Sequence, residues 1–100
     1  MRYDTPVYFQ KITPGEYDPD TGDTAEDIIE ETERFASVYS TGAEMLNLVY
    51  GQIRQDSLTI QLQTQYKARF DRIRVGDTVY KVDTVQNLRV KQYFVVSEVQ

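Results

Sequence analysis

At 100 residues, with 40% apolar and 12% aromatic side chains and no biased run, the chain is sized for one ordinary domain with a modest core. It contains neither cysteine nor histidine, which excludes disulfides, thiolate nucleophiles, imidazole bases and zinc sites built on nitrogen or sulfur ligands. The net charge of −5 is uneven: residues 1–50 carry eleven acids and three bases (−8) and residues 51–100 five acids and eight bases (+3), an acidic balance that disfavours general affinity for a phosphate backbone.

The opening residues, MRYDTPVYFQ, lack the basic and apolar blocks of a signal peptide, and no apolar run approaches the ~20 residues of a membrane span, so a soluble protein made in the cytoplasm, with no membrane partner, is expected. Val7 to Ile12 is rich in β-formers and entered through Pro6, as a first strand permits. Thr13 to Thr24, with Pro14, Gly15, Pro19 and Gly22, is a long connection. Asp18, Asp20 and Asp23 in it resemble a calcium loop only poorly, because Ile29 stands where a bidentate Glu would be needed, and a solvated turn is the better reading. No metal ion and no cofactor is expected.

Ala25 to Tyr39 is balanced between helix and strand. Thr24 and Asp27 imitate a capping box, and Ile28, Thr32 and Phe35 lie near helical spacing; Phe35, Ala36, Val38 and Tyr39 argue for a strand. Thr41 and Glu44 then have capping-box spacing ahead of Met45, Leu46, Leu48, Val49 and Tyr50, and Gly51 follows, which predicts a short helix or apolar loop. That run is either a lid over the end of the fold or a surface that docks a protein, since Met, Leu and Tyr anchor interfaces.

Ser57 to Gln63 alternates cleanly, with Leu58, Ile60 and Leu62 on one face. Arg72 to Val75 and Thr78 to Val85 flank Gly76-Asp77, a two-residue hairpin turn of the II′ kind. Gln86-Asn87 reads as the next turn, into a last strand from Leu88 to Val99. Five or six short antiparallel strands in this length predict a mainly β fold, a small barrel or sandwich, with the loop or short helix between strands two and three. Carboxylate pairs such as Glu30 and Glu31 or Asp18 and Asp20 read as solvated rather than catalytic, and no enzyme is expected. Lys67, Arg69, Arg72 and Arg74, interleaved with Tyr66 and Phe70, either bind a single-stranded nucleic acid or pair with acids such as Glu30, Glu31 and Glu33 across strands or between subunits.

Tyr17 to Asp23 (YDPDTGD), Ala36 to Glu44 (ASVYSTGAE), Leu46 to Gly51 (LNLVYG), Ser57 to Leu62 (SLTIQL), Phe70 to Asp83 (FDRIRVGDTVYKVD) and Leu88 to Val99 (LRVKQYFVVSEV) together resemble the head-tail joining proteins of tailed bacteriophages, also called head-closure or stopper proteins. The resemblance runs over nearly the whole chain, from Val7 to Val99. It implies one small β-barrel-like domain over residues 1–100 whose copies form a ring between the portal or adaptor and the tail, close the filled head and retain DNA that passes nearby without specific binding. It implies a virion protein that is a monomer or weak oligomer alone, with no catalytic residues. It also implies an excursion between strands two and three, here Thr41 to Gln55, which shifts Ala25 to Tyr39 toward strand. A tail-completion or tail-terminator protein and a small nucleic-acid-binding barrel are the alternatives.

Overall fold

A computed structural model describes residues 2–52 and 55–99. Six strands and one helix follow in the order β1 (Thr5–Thr13), β2 (Ile28–Ser40), α1 (Ala43–Tyr50), β3 (Ser57–Leu62), β4 (Arg72–Val75), β5 (Thr78–Leu88) and β6 (Lys91–Glu98). Every pairing is antiparallel, and the order β1-β2-β3-β6-β5-β4 closes on itself as a barrel. The expected mainly β fold of five to six strands, with a short helix between strands two and three, is what forms.

Period-2 alternation decides which side chains enter the barrel. Val7 and Phe9 of β1, Ala36 of β2, Ile60 and Leu62 of β3, Ile73 of β4, Tyr80 of β5 and Phe94 and Val96 of β6 make one buried cluster, with Val38, Leu58, Val75 and Val82 packed against it. The chain after β3 closes one end. Tyr66 stacks on Phe9 with ring centroids 4.0 Å apart, and Phe70 meets Phe9 and Phe94 edge-on at 4.9 and 5.6 Å. Gln92 ties this plug down, its Oε1 accepting from the Tyr66 backbone N–H at 2.8 Å.

Ile28 to Tyr39 is strand, not helix. Its register with β1 is unbroken from Thr5↔Ala36 to Thr13↔Ile28, and Ser37 to Ser40 then pair with β3. β4 pairs with only Tyr8, Phe9 and Gln10 of β1, so Lys11–Thr13 and Ile28–Glu30 run on as a two-stranded ribbon beyond the barrel. Ribbon and the 14–27 connection form an arm, and the molecule is 53 Å long but only 29 by 24 Å across. At the arm's end Asp20 N–H donates to Asp18 Oδ1 and Gly22 N–H to the Asp18 carbonyl, so Asp18 organises the turn that the sequence suggested. Part-way along the arm, just beyond the ribbon, Gly15 passes so close to the Ala25 carbonyl that a Cβ would lie 1.6 Å from the oxygen.

Two expectations are corrected. The last turn is not at Gln86-Asn87 but at Arg89-Val90: Gln86, Asn87 and Leu88 pair with Tyr93, Gln92 and Lys91. Asn87 resembles a turn former, yet its Oδ1 accepts from Gln92 Nε2 across the ladder at 2.7 Å, while Arg89 takes the positive φ of 43°. The Thr41–Glu44 capping box is also not made. Gly42 occupies the N-cap with no side-chain bond, and the Thr41 hydroxyl turns to Ser57 and Thr59, at 2.9 and 3.0 Å. Gly51 ends the helix as expected, at φ 70° with its N–H on the Asn47 carbonyl. Of the excursion Thr41 to Gln55, Ile53 and Arg54 lie outside the described residues.

Candidate protein-docking face

The outer surface of β3, β6 and β5 is organised by what covers it. Residues paired directly across an antiparallel ladder share a face, so Thr59 and Val95, Thr84 and Val95, Gln86 and Tyr93, and Leu88 and Lys91 point outward in rows. α1 lies over one end of these rows on a polar layer. The register shift between Val82 and Thr84 leaves Asp83 unpaired in the ladder and turns it outward, where its Oδ2 accepts from Tyr50 Oη at 2.5 Å and from Ser97 Oγ at 2.7 Å. Tyr50 and Ser57 hydroxyls are 3.3 Å apart, and Ser57 bonds on to Thr41. Burial and the Asp83 carboxylate together push the Tyr50 hydroxyl's pKa up.

Beyond the helix the rows are uncovered and form a groove of about 340 Å³ lined by Tyr39, Met45, Thr84, Leu88, Tyr93 and Val95, among others. Its floor is apolar and its tyrosines are clustered: burial first, then the neighbouring Tyr93 and Tyr3, raise the Tyr39 pKa. Tyr3 also accepts from Gln61 Nε2 at 2.9 Å, while the buried Gln61 Oε1 has no partner among the described residues. Lys91 stands beside Leu88, and Arg89 with Lys67 borders an adjoining hollow. Among the described residues none of these three bases is in an ion pair.

The five candidate docking residues do not act together. Leu46 is buried (5% exposed) and Tyr50 is bound to Asp83, so both hold α1 down; Met45 lines the groove, Val49 is half-buried, and Leu48 alone is open, at 80%. Helical geometry separates them, since Leu46 and Tyr50, four positions apart, share the face that is held down, while Leu48, two positions from each, points the other way. The sequence run was therefore part anchor and part surface. It missed the groove, whose lining comes from β2, α1, β5 and β6.

Of the candidate charge pairs, one closes across strands within the chain. Glu31 and Arg74, expected to pair across strands or between subunits, do so across strands: Arg74 Nε and Nη2 donate to Glu31 Oε2 and Oε1 at 2.7 and 3.0 Å, and Gln10 Nε2 adds a third bond at 2.8 Å. The Arg74 bonds, then Gln10, hold the Glu31 carboxyl down at about 2. Arg74 also lies over the Tyr8 ring at 4.1 Å, and Tyr8 Oη donates to Glu33 at 2.8 Å, which raises the phenol's pKa. This network joins β1, β2 and β4 at the arm's root. Arg72 is half-buried in β4, with Nε lacking a partner among the described residues; Arg69 and Glu30 are exposed.

The arm carries the remaining exposed features. Ile28 and Ile29 are 59% and 49% exposed, and residues 14–30 hold seven carboxylates and no base. No group of three or more Asp and Glu side chains among the described residues is placed to hold a metal ion. No described helix is long and apolar enough to cross a membrane. No family model, curated protein or solved structure matches the chain.

Proposed function

We propose that the protein is a structural connector subunit that works by binding other proteins, forming a ring between the portal or adaptor and the tail of a tailed phage or prophage particle, where it closes the filled head and retains DNA. The resemblance of the sequence to head-tail joining proteins suggests the setting. The observation that carries the binding role is the pair of unlike surfaces on one small barrel: an acidic arm bearing exposed isoleucines, and an uncovered apolar groove with a basic rim. Val95 on the groove floor is buried, but neither surface belongs to the cluster inside the barrel, so their other apolar side chains are left for a contact with another molecule.

The nucleic-acid reading is less well supported. The rings it would use for base stacking, Tyr66 and Phe70, are packed against Phe9 and Phe94. A gel shift with single-stranded DNA at low and moderate salt should show no salt-resistant complex.

Deleting the coding sequence from the phage or prophage that carries it tests the connector role. Filled heads should appear without tails and should lose DNA on storage. Tailed, infectious, DNA-containing particles in the deletion lysate would overturn the proposal. A tail-terminator role differs in outcome, because the defect would then be tails of abnormal length or end while heads kept their DNA.

A further inference from the structure

We infer that the arm of one copy docks in the outer groove of a second copy, with the Ile28-Ile29 stretch, where the ribbon passes into the 14–27 connection, laid over Met45, Leu88 and Val95 and the arm's acids facing Arg89 and Lys91. The inference rests on the connector reading only for its setting; the contact itself follows from three observations on the chain.

Chemical match is the first. The arm offers exposed aliphatic side chains flanked by Glu26, Asp27 and Glu30, and the groove offers an apolar floor with Lys91 beside Leu88 and Arg89 at the adjacent turn. Seven carboxylates without a base in residues 14–30 repel a like arm, so arm-to-arm pairing is disfavoured and a basic receiving surface is favoured. Glu31 is held by Arg74 and stays at the root, which leaves Glu26 and Glu30 free for the contact.

Reach is the second. Ile28 and Tyr39, which lines the groove, lie on one strand eleven residues apart, about 36 Å of extended chain. Unbroken pairing with β1 from Thr5 to Thr13 keeps the ribbon from folding back, so a chain cannot fill its own groove with its own arm. The occupant must come from another molecule.

The marginal stability of an isolated ribbon is the third. Lys11–Thr13 and Ile28–Glu30 pair with each other and with no third strand, held beside β4 by the Ile12 N–H donated to Asp71 Oδ2, and two strands gain little in water. Docking covers the exposed isoleucines and gives the ribbon a surface to lie on. Because arm and groove are different parts of one surface, the contact is head-to-tail, and repetition gives a closed ring or an open filament.

The absence of native cysteine makes the test direct. Ile28→Cys and Ile29→Cys variants are each mixed with a Leu88→Cys variant of the full chain at tens of micromolar and oxidised, with Asp77→Cys, at the turn between β4 and β5, as control partner. At least one arm position should give the mixed dimer several-fold above both homodimers and above the Asp77→Cys control. The chain carrying both Ile28→Cys and Leu88→Cys should give a ladder of oligomers and not a looped monomer. Reversing the rim (Arg89→Glu with Lys91→Glu) or the arm (Glu26→Lys with Glu30→Lys) should abolish trapping in each variant alone, and mixing the two should restore it. Circular dichroism checks that each variant keeps its β signal. Dimers in statistical proportion, or trapping that charge reversal leaves unchanged, would overturn the inference. Its failure with a tail-less deletion phenotype would reject this contact and leave the connector role standing, whereas trapping with a normal deletion lysate would reject the role and keep the contact.

Discussion

The Glu31 carboxylate accepts two bonds from Arg74 and one from Gln10, which hold its pKa at about 2 against an ordinary 4.5. A depressed carboxyl stabilises the fold fully above its unfolded value and loses that contribution as pH falls from about 4.5 through about 2. Melting temperature should therefore fall more steeply over that window in the native chain than in a Glu31→Gln variant. Arg74→Ala should move the Glu31 titration, followed by NMR, back toward 4.5. Gly15 makes a second sharp case. A methyl group there would collide with the Ala25 carbonyl, and backbone cannot yield as a side-chain end does. Gly15→Ala should cost roughly 1–3 kcal/mol, as overpacking does, with NMR shifts confined to the arm and the barrel signals unchanged.

Helix α1 shows why a run of apolar residues does not behave as a unit. Leu46 is buried against the barrel, so Leu46→Ala should cost about 2–5 kcal/mol by chemical denaturation. Leu48 is exposed, and Leu48→Ser should stay within about 0.5 kcal/mol of the native chain. Tyr50→Phe leaves Asp83 short of a donor, and a loss of roughly 1–3 kcal/mol is expected. Equal costs for Leu46→Ala and Leu48→Ser would show that the helix packs differently. The strands were legible where one face is buried and alternation is clean, as in β3, or where a glycine turn punctuates the chain, as between β4 and β5. β2 was not legible from its residues alone, because its outer half is exposed on both faces and so carries no alternation; what makes it strand is the ladder with β1, a tertiary fact. The Arg89 turn has no glycine or asparagine to announce it. The groove could not be read at all, since its lining residues run from Tyr39 to Val95 and meet only when the barrel closes.

At the scale of the whole molecule, charge is polarised between the arm and the end of β5 and β6, so any association between copies should weaken as salt rises. Light scattering at tens of micromolar should report a monomer or weak oligomer whose apparent mass falls between low salt and about 0.5 M, where the Debye length is only a few ångström. A stable, salt-insensitive ring in solution would contradict that expectation. The closing of the barrel carries a different consequence, one of time. Each of its six seams has at least three register pairs, but the β1–β4 seam joins Tyr8, Phe9 and Gln10 to residues 72–74, more than sixty positions along the chain. A loop that long is slow to close, and pairings of high sequence separation delay the rate-limiting step of folding. The protein should fold on a millisecond-to-second scale. Substitutions in the β1–β4 seam, such as Ile73→Val, should slow refolding at least as much as they speed unfolding, because bringing these two distant strands together is the step that limits the rate.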